Sequence, residues 1–312
     1  MVVPTLDASA AIEPIRQLIE SDQPSVLSII TSIEGPSYRP LGATMAVFAD
    51  QRRVGSLSSG CVESDIALHA VSALEDGKSK KILYGRGSPF VDIQLPCGGG
   101  LEIMLVPNPD LGALKELNHR HAARLACSLV IDPETCALEV RDHGESGFKE
   151  GKFIVKIEPE LLFYVFGKGP ETTTFAGLVQ SAGYPNLILS PDEETLDVAR
   201  SAGCETRHLN SARFPTELHP DTHSAVVLFF HDHEWEPPIL EAALKTNAFY
   251  IGAQGSHRAS QTRKQQLRAL GVPDDMLKKV RGPIGLIPSV RDARKLAVSV
   301  LAEVLNVSYD HD

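Results

Sequence analysis

The cysteines of this 312-residue chain include no CxxC pair, and there are five of them, an odd number. That argues against a disulfide framework and against a zinc knuckle, so Cys61, Cys97, Cys127, Cys136 and Cys204 are expected as thiols. Long apolar runs are absent too: a stretch such as Ala225 to Phe230 is far too short to span a bilayer. The opening MVVPTLDASAAIEPIRQLIESD has no basic start before an apolar core, so no secretory leader is expected and the cytoplasm is the expected location. Positive charge is in deficit, 30 Lys and Arg against 40 Asp and Glu for a net charge of -10, which gives no general reason to expect nucleic acid or an anionic membrane as a partner. Internal repeats and low-complexity tracts are also lacking. Aromatics are sparse at 6%, but with 43% hydrophobic residues the composition is that of an ordinary globular protein.

What is present divides the chain in two, as its length also suggests. Residues 1–142 read as a small α/β domain, with strands over 26–32, 44–50, 53–58 and 101–107 and a helix starting around Ser59 or Gly60. A polar, glycine-bearing stretch makes 143–160 the expected linker. From Leu161 strands and helices alternate, predicting a Rossmann-like, doubly wound parallel sheet over 161–312. Within it, His257 to Lys295 opposes the net charge, carrying ten Lys and Arg (such as Arg263, Lys264, Arg268) against Asp274, Asp275 and Asp292. A solvated helix face is the plainer explanation, and an anion-steering or docking face the alternative.

Several segments could carry chemistry. Gly167-Lys168-Gly169 lies at a strand-to-helix turn, as in a dinucleotide fingerprint whose backbone approaches a pyrophosphate. Thr172 replaces the third small residue, Pro170 removes a donor, and the second strand ends on Ser190 where an NAD-binding chain places an acid; Asp192 and Glu193 come late. Close helix–strand packing explains the same glycines. His231-Asp232-His233-Glu234 follows another strand, and His231 and His233 could bind a divalent metal, although an extended backbone turns them to opposite sides. Gly252, Gly255 and Ser256 form a second candidate anion cradle, or an ordinary βα turn. In the first half, Cys61 stands near a helix start that would favour a thiolate, and Cys97 precedes glycines whose amides can face a ligand, Gly98 and Gly99 among them. Free cysteines are also common core residues. Arg39 could grip a phosphate.

Taken together, Gly35 to Ala43 (GPSYRPLGA), Gly55 to Glu63 (GSLSSGCVE), Cys97-Gly98-Gly99, FGKG (166–169), HDHE (231–234), FYIGAQGSHR (249–258) and GPIGL (282–286) resemble, in order, the motifs of the XdhC/CoxI family of molybdenum-hydroxylase accessory proteins. The resemblance implies a two-domain factor that binds molybdopterin, protects it while a cysteine desulfurase sulfurates it, and passes it to the apo-subunit of a xanthine-dehydrogenase-like hydroxylase. It implies a cofactor site at Arg39, Cys61, Glu63, Cys97, Gly98 and Gly99, with Cys61 and Cys97 toward molybdenum. The second domain departs from the pattern, reading GKGPET for GAGHVA and GLIPSVRDARKLA for GLDIGARTPEEIA. A cofactor chaperone is therefore expected rather than a catalyst, with a homodimer as the default assembly. An NAD(P)-linked oxidoreductase on the second domain is the runner-up, and a metal-dependent hydrolase at His231 and His233 the third reading.

Overall fold

A computed structural model describes residues 12–58, 60, 62–85, 88, 98–231 and 234–309. The chain divides into two units, Met1–Pro159 and Glu160–Asp312.

In the first unit, β1 (Ser25–Glu34), β2 (Thr44–Phe48), β3 (Arg53–Gly55), β4 (Lys80–Gly85) and β5 (Gly100–Pro107) form an antiparallel sheet in the order β3-β2-β1-β5-β4. Alternate side chains of a strand point to opposite faces, so β1 sends Val26 and Ile30 one way and Leu27 and Ile29 the other. The first face is covered by α2 (Glu63–Asp76), whose Ile66, Ala67, Ala70 and Ala73 recur at helical spacing. The second face packs on α1 (Glu13–Glu20), α3 (Leu111–Ala122) and a smaller antiparallel sheet. That sheet comprises β6 (Cys127–Ile131), β7 (Leu138–Arg141), β8 (Gly147–Lys149) and β9 (Lys152–Ile157), in the order β7-β6-β9-β8. Residues 143–160, expected as a linker, thus hold two strands. The polar, glycine-bearing composition belongs to a tight turn, Glu150 and Gly151 both having positive φ, and the next residues bury Phe153, Val155 and Ile157. The strand β4 had no counterpart in the expected elements: its burial is partial and its sequence, KKILYG, is half polar.

In the second unit, β10 (Leu162–Gly167), β11 (Asn186–Ser190), β12 (Glu205–His208), β13 (Ser224–Phe229), β14 (Tyr250–Ala253) and β15 (Val280–Arg281) pair in parallel in the order β12-β11-β10-β13-β14-β15. Helices α4 (Pro170–Ser181) and α9 (Ala293–Tyr309) cover one face through Phe175, Val179, Val300 and Val304. Helices α6 (Glu236–Ala243) and α7 (His257–Ala269) cover the other through Ile239, Leu240 and Leu267. Burial on both faces is why β13 is apolar along its length. The helices α5 (Glu193–Ser201) and α8 (Asp274–Leu277) complete this doubly wound, Rossmann-like architecture. The strand order reverses between β10 and β13, which opens a crevice at their carboxyl ends.

Candidate functional site

Strand register in the first unit brings the motif-bearing segments to one end of the large sheet. Glu34 at the end of β1 and Gly85 at the end of β4 both pair with Gly100 at the start of β5. Gly55 at the end of β3 pairs with Met45 at the start of β2. The 35–43 loop with Arg39, the chain that leads through Ser58 and Gly60 to Val62, and the Gly98-Gly99 entry to β5 therefore leave the sheet from the same end. Cys61 and Cys97 themselves lie outside the described residues. Their neighbours Gly60 and Gly98 are exposed, have φ of +98° and +71°, and face open space where a side chain would stand. Both take left-handed backbone that other residues adopt at a cost, leaving the backbone beside each cysteine accessible.

Gly99 has a different reason to be glycine. A Cβ there would lie 2.3 Å from the Pro36 carbonyl and 2.9 Å from that of Glu34, so the absence of a side chain lets the 35–43 loop close against the β5 entry. Within that loop the Ser37 hydroxyl donates to the Arg39 carbonyl at 2.8 Å and accepts from the Arg39 amide at 3.2 Å, which sets the backbone at the candidate phosphate ligand.

Glu63 does something the sequence did not reveal. It is the first residue of α2, is buried, and its carboxylate turns back onto the loop before it. One oxygen accepts from the Ser56 hydroxyl at 2.7 Å and from the amides of Leu57 and Ser58 at 3.0 and 2.7 Å. The other accepts from the Ser58 hydroxyl at 2.8 Å and the Val62 amide at 3.1 Å. Burial alone would raise its pKa, but the hydrogen bonds from Ser56 and Ser58 outweigh burial and hold it at about 2. Both oxygens of Glu63, expected as a ligand, accept hydrogen bonds from Ser56, Leu57, Ser58 and Val62 and so tie the start of α2 to the segment that follows β3. The helix also starts later than expected, with Val62 as N-cap and no side-chain cap.

The second unit disposes of its candidate residues differently. A Cβ on Gly167 would lie 2.4 Å from Thr172 Oγ1 and 2.9 Å from Phe229 Cβ, so this glycine packs α4 against the sheet. Gly169 caps α4, followed by Pro170, and its amide donates to Thr195 Oγ1 at 2.9 Å. Thr195 donates in turn to Asp192, the N-cap of α5, whose pKa is lowered by those hydrogen bonds. The acid nearest the ribose position is thus a helix cap that holds the glycine turn. Gly252 lies within β14, where a Cβ would lie 2.6 Å from the Tyr250 ring and 2.7 Å from Ile284; close packing corrects its expected place in an anion cradle. Gly255 is exposed at the following turn, and Ser256 caps α7 by accepting from the Ala259 amide at 3.1 Å.

His231 is exposed, 3.5 Å from the Glu171 carboxylate and 3.3 Å from the Gln254 amide nitrogen. His233 lies outside the described residues, among which no three His, Cys, Asp or Glu side chains group as a metal site requires. The basic stretch is less free than its composition suggests. Arg263 is buried in a forked pair with Glu236, at 3.0 and 3.1 Å, while Arg268 pairs with Asp274 and Arg294 with Asp292. Loss of either partner of the buried pair would cost about 3–5 kcal/mol. Among the described residues no helix is long and apolar enough to cross a membrane.

Comparison with known proteins matches residues 18–85 to the XdhC and CoxI family and residues 163–304 to the XdhC Rossmann domain. The chain is 34% identical over 292 residues to the molybdenum cofactor insertion chaperone PaoD of Escherichia coli K12, covering 93% of this chain and 86% of PaoD. It is 24% identical over 322 residues to a probable xanthine dehydrogenase subunit of Bacillus subtilis 168, covering 92% and 94% of the two chains. A crystal structure described as a xanthine dehydrogenase from Bacillus halodurans shares the fold at a TM-score of 0.78 and 21% identity, over 97% of this chain and 96% of that one. With a relative this similar along nearly its whole length, and both domain models matched in order, the chain belongs to the XdhC and CoxI family.

Proposed function

We propose that this protein binds molybdenum cofactor at the loop end of its first unit, shields it during sulfuration by a cysteine desulfurase, and delivers it to the apo-subunit of a xanthine-dehydrogenase-like hydroxylase. It acts as a cytoplasmic homodimer and as a carrier rather than a catalyst. The observation that carries the reading is the convergence, by strand register, of the Arg39 loop, the Glu63-anchored loop leading to Cys61, and the glycine entry that follows Cys97.

The donor set fits such a group. Cys61 and Cys97 offer soft sulfur to a metal, Gly98 and Gly99 bring backbone amides, and Arg39 offers a charged donor to a phosphate. The cofactor itself supplies the redox-active molybdenum centre. Glu63 holds the loop in one conformation before the ligand arrives, which lowers the ordering cost of binding. The similarity to an insertion chaperone supports delivery.

The test is to incubate the full chain with isolated cofactor, remove the excess by gel filtration, and assay molybdenum and pterin in the protein fraction. Molybdenum and pterin co-eluting in a fixed ratio to protein, and transferable to apo-hydroxylase, is the expected result. Retention of neither would overturn the reading.

A further inference from the structure

We propose that a second copy of this chain seats on the outer side of α4 and α9, so that the outward side chains of α9 in one protomer lie along α4 of its partner. The placement rests on the dimeric part of the reading above and not on the cofactor.

Helix α9 is apolar on two sides. Its inner side buries Ala297, Val300, Val304 and Val307 in the core of the second unit. Its outer side runs at the same helical spacing, with Val298, Ala302 and Tyr309 exposed and Leu305 half-buried. Val298 keeps 57% of its surface and Tyr309 81%. From Leu296 to Tyr309 the one charged residue is Glu303, and it is turned inward, accepting from the Tyr250 hydroxyl at 3.0 Å and from the Gly285 amide. A surface helix ordinarily sets charged residues opposite its buried stripe. Other helices of this unit do so: α5 exposes Glu193, Glu194, Asp197 and Arg200, and α7 exposes Arg258 and Arg268.

The adjoining α4 supplies the shape that fits this ridge. It packs beside α9, carries no charge after Glu171, and sets Thr173, Gly177 and Ser181 four residues apart along its outer side. Gly177 stands mid-helix, where glycine is less favourable than alanine, yet a Cβ there would meet nothing within 4 Å. Packing within the chain gives no reason for that glycine, whereas a second helix crossing at this point needs the trough it leaves. Ridge and trough lie on one surface of one chain, as a two-fold, self-complementary contact requires.

Charge and area select a second copy as the occupant. An isologous contact brings the same patch of both protomers together, so a charged patch would repel itself; this one has no charge to repel, on a chain whose net charge is -10. Helices of 17 and 12 residues are about 25 and 18 Å long at about 1.5 Å per residue. Lying about 10 Å apart, they present roughly 500 Å² on each protomer and about 1,000 Å² in all, the size at which specific interfaces begin. Arg294 and Lys295 at the start of α9, and the Asp197 and Arg200 pair on α5, which packs on the other flank of α4, supply a polar rim.

Sedimentation equilibrium of the full-length protein over a concentration series tests this, with circular dichroism to check that each variant is folded. The wild type is expected to dimerise. Val298→Glu brings like charges together in the contact and should raise the dissociation constant by at least about thirtyfold. Gly177→Gln fills the trough and should raise it by at least about tenfold. The same variant should raise the melting temperature of the monomer, because open space receives the new side chain and a mid-helix glycine is removed; replacing a glycine that served packing within the chain would lower it. Leu270→Glu, at an exposed position at the end of α7 on the opposite face of the sheet, should leave the dimer unchanged. A dimer that persists unweakened in Val298→Glu would overturn the proposal and place the dimer on another face, and one unweakened in Gly177→Gln would overturn the trough. A wild type that is monomeric at every concentration would overturn the proposal and the dimeric part of the reading together. If that monomer binds apo-hydroxylase and Val298→Glu abolishes the binding, the face belongs to the client enzyme and the proposal is likewise overturned. None of these outcomes depends on whether the first unit holds the molybdenum cofactor.

Discussion

At the starts of α2 and α4 a glycine-bearing loop is steadied by an acid, and the acid acts from a different place in each. At α2, Glu63 is the first helical residue and gathers the hydroxyls of Ser56 and Ser58 and the amides of Leu57, Ser58 and Val62 onto its own carboxylate. It leaves Gly60 facing open space. At α4 the acid is Asp192, on the next helix, which acts through Thr195 to take the Gly169 amide out of use. A glycine-rich turn at a helix start is therefore not a ligand site by composition. At both turns an acid takes up backbone donors, directly through Glu63 at α2 and through Thr195 and Asp192 at α4, so the turns differ in which element supplies the acid.

Removing Glu63 should show the difference at its largest. Glu63→Ala strands two hydroxyls and three amides in a buried loop, and should lower the stability of the first unit by about 3 kcal/mol or more in urea unfolding. A change below about 1 kcal/mol would break the claim that this carboxylate holds the loop.

The same group sets an acid limit. Its pKa is lowered from 4.5 to about 2, so the stabilisation it confers is complete above the unfolded value. It is lost as pH falls through about 4.5 toward about 2, on the order of 3 kcal/mol in all. Glu63→Gln should flatten stability against pH in that window, as measured by chemical denaturation at each pH. A variant with the wild-type slope would assign the acid sensitivity to other carboxylates.

At the second helix start the expected effect is smaller. Thr195→Val removes one acceptor from the Gly169 amide and one donor to Asp192, and should cost about 1 kcal/mol in thermal or urea unfolding. It should not create a dinucleotide site, because Pro170 lacks an N–H and Asp192 still caps α5. Calorimetry with NAD or NADP is expected to show no micromolar binding in either the wild type or the variant. Tight binding in the wild type would restore the oxidoreductase reading, and a gain in the variant would show that the Thr195 clasp alone had closed the turn.

The parts of the molecule legible in the sequence were those with a strong local signal. The apolar run of β13 and the alternation of strands and helices after Leu161 announce a parallel sheet because burial on both faces leaves no room for polar residues. The β8–β9 hairpin was hidden, since a tight turn and a linker share the same polar, glycine-bearing composition. At the candidate site, the loops around Cys61 and Cys97 could be singled out. The inward turn of Glu63 could not: a glutamate at a helix start ordinarily stays in solvent and favours the dipole from there. A pair of serines five and seven residues before it was the available signal. Gly252 and Arg263 misled in the same manner, one a packing glycine and the other a buried partner of Glu236, because sequence spacing does not report which side of a strand or helix faces the core.

The most direct test of the central proposal, that Cys61 and Cys97 hold the cofactor at the loop end of the first unit, is retention of molybdenum by the Cys61→Ala/Cys97→Ala double variant after loading and gel filtration. A Cys127→Ala/Cys204→Ala variant serves as the control, since both of its positions are buried thiols remote from those loops in sequence. The account predicts that the first variant folds, loses bound molybdenum and pterin, and no longer activates apo-hydroxylase, whereas the control retains both. A folded Cys61→Ala/Cys97→Ala variant that holds the cofactor and activates the hydroxylase at the wild-type level would contradict it.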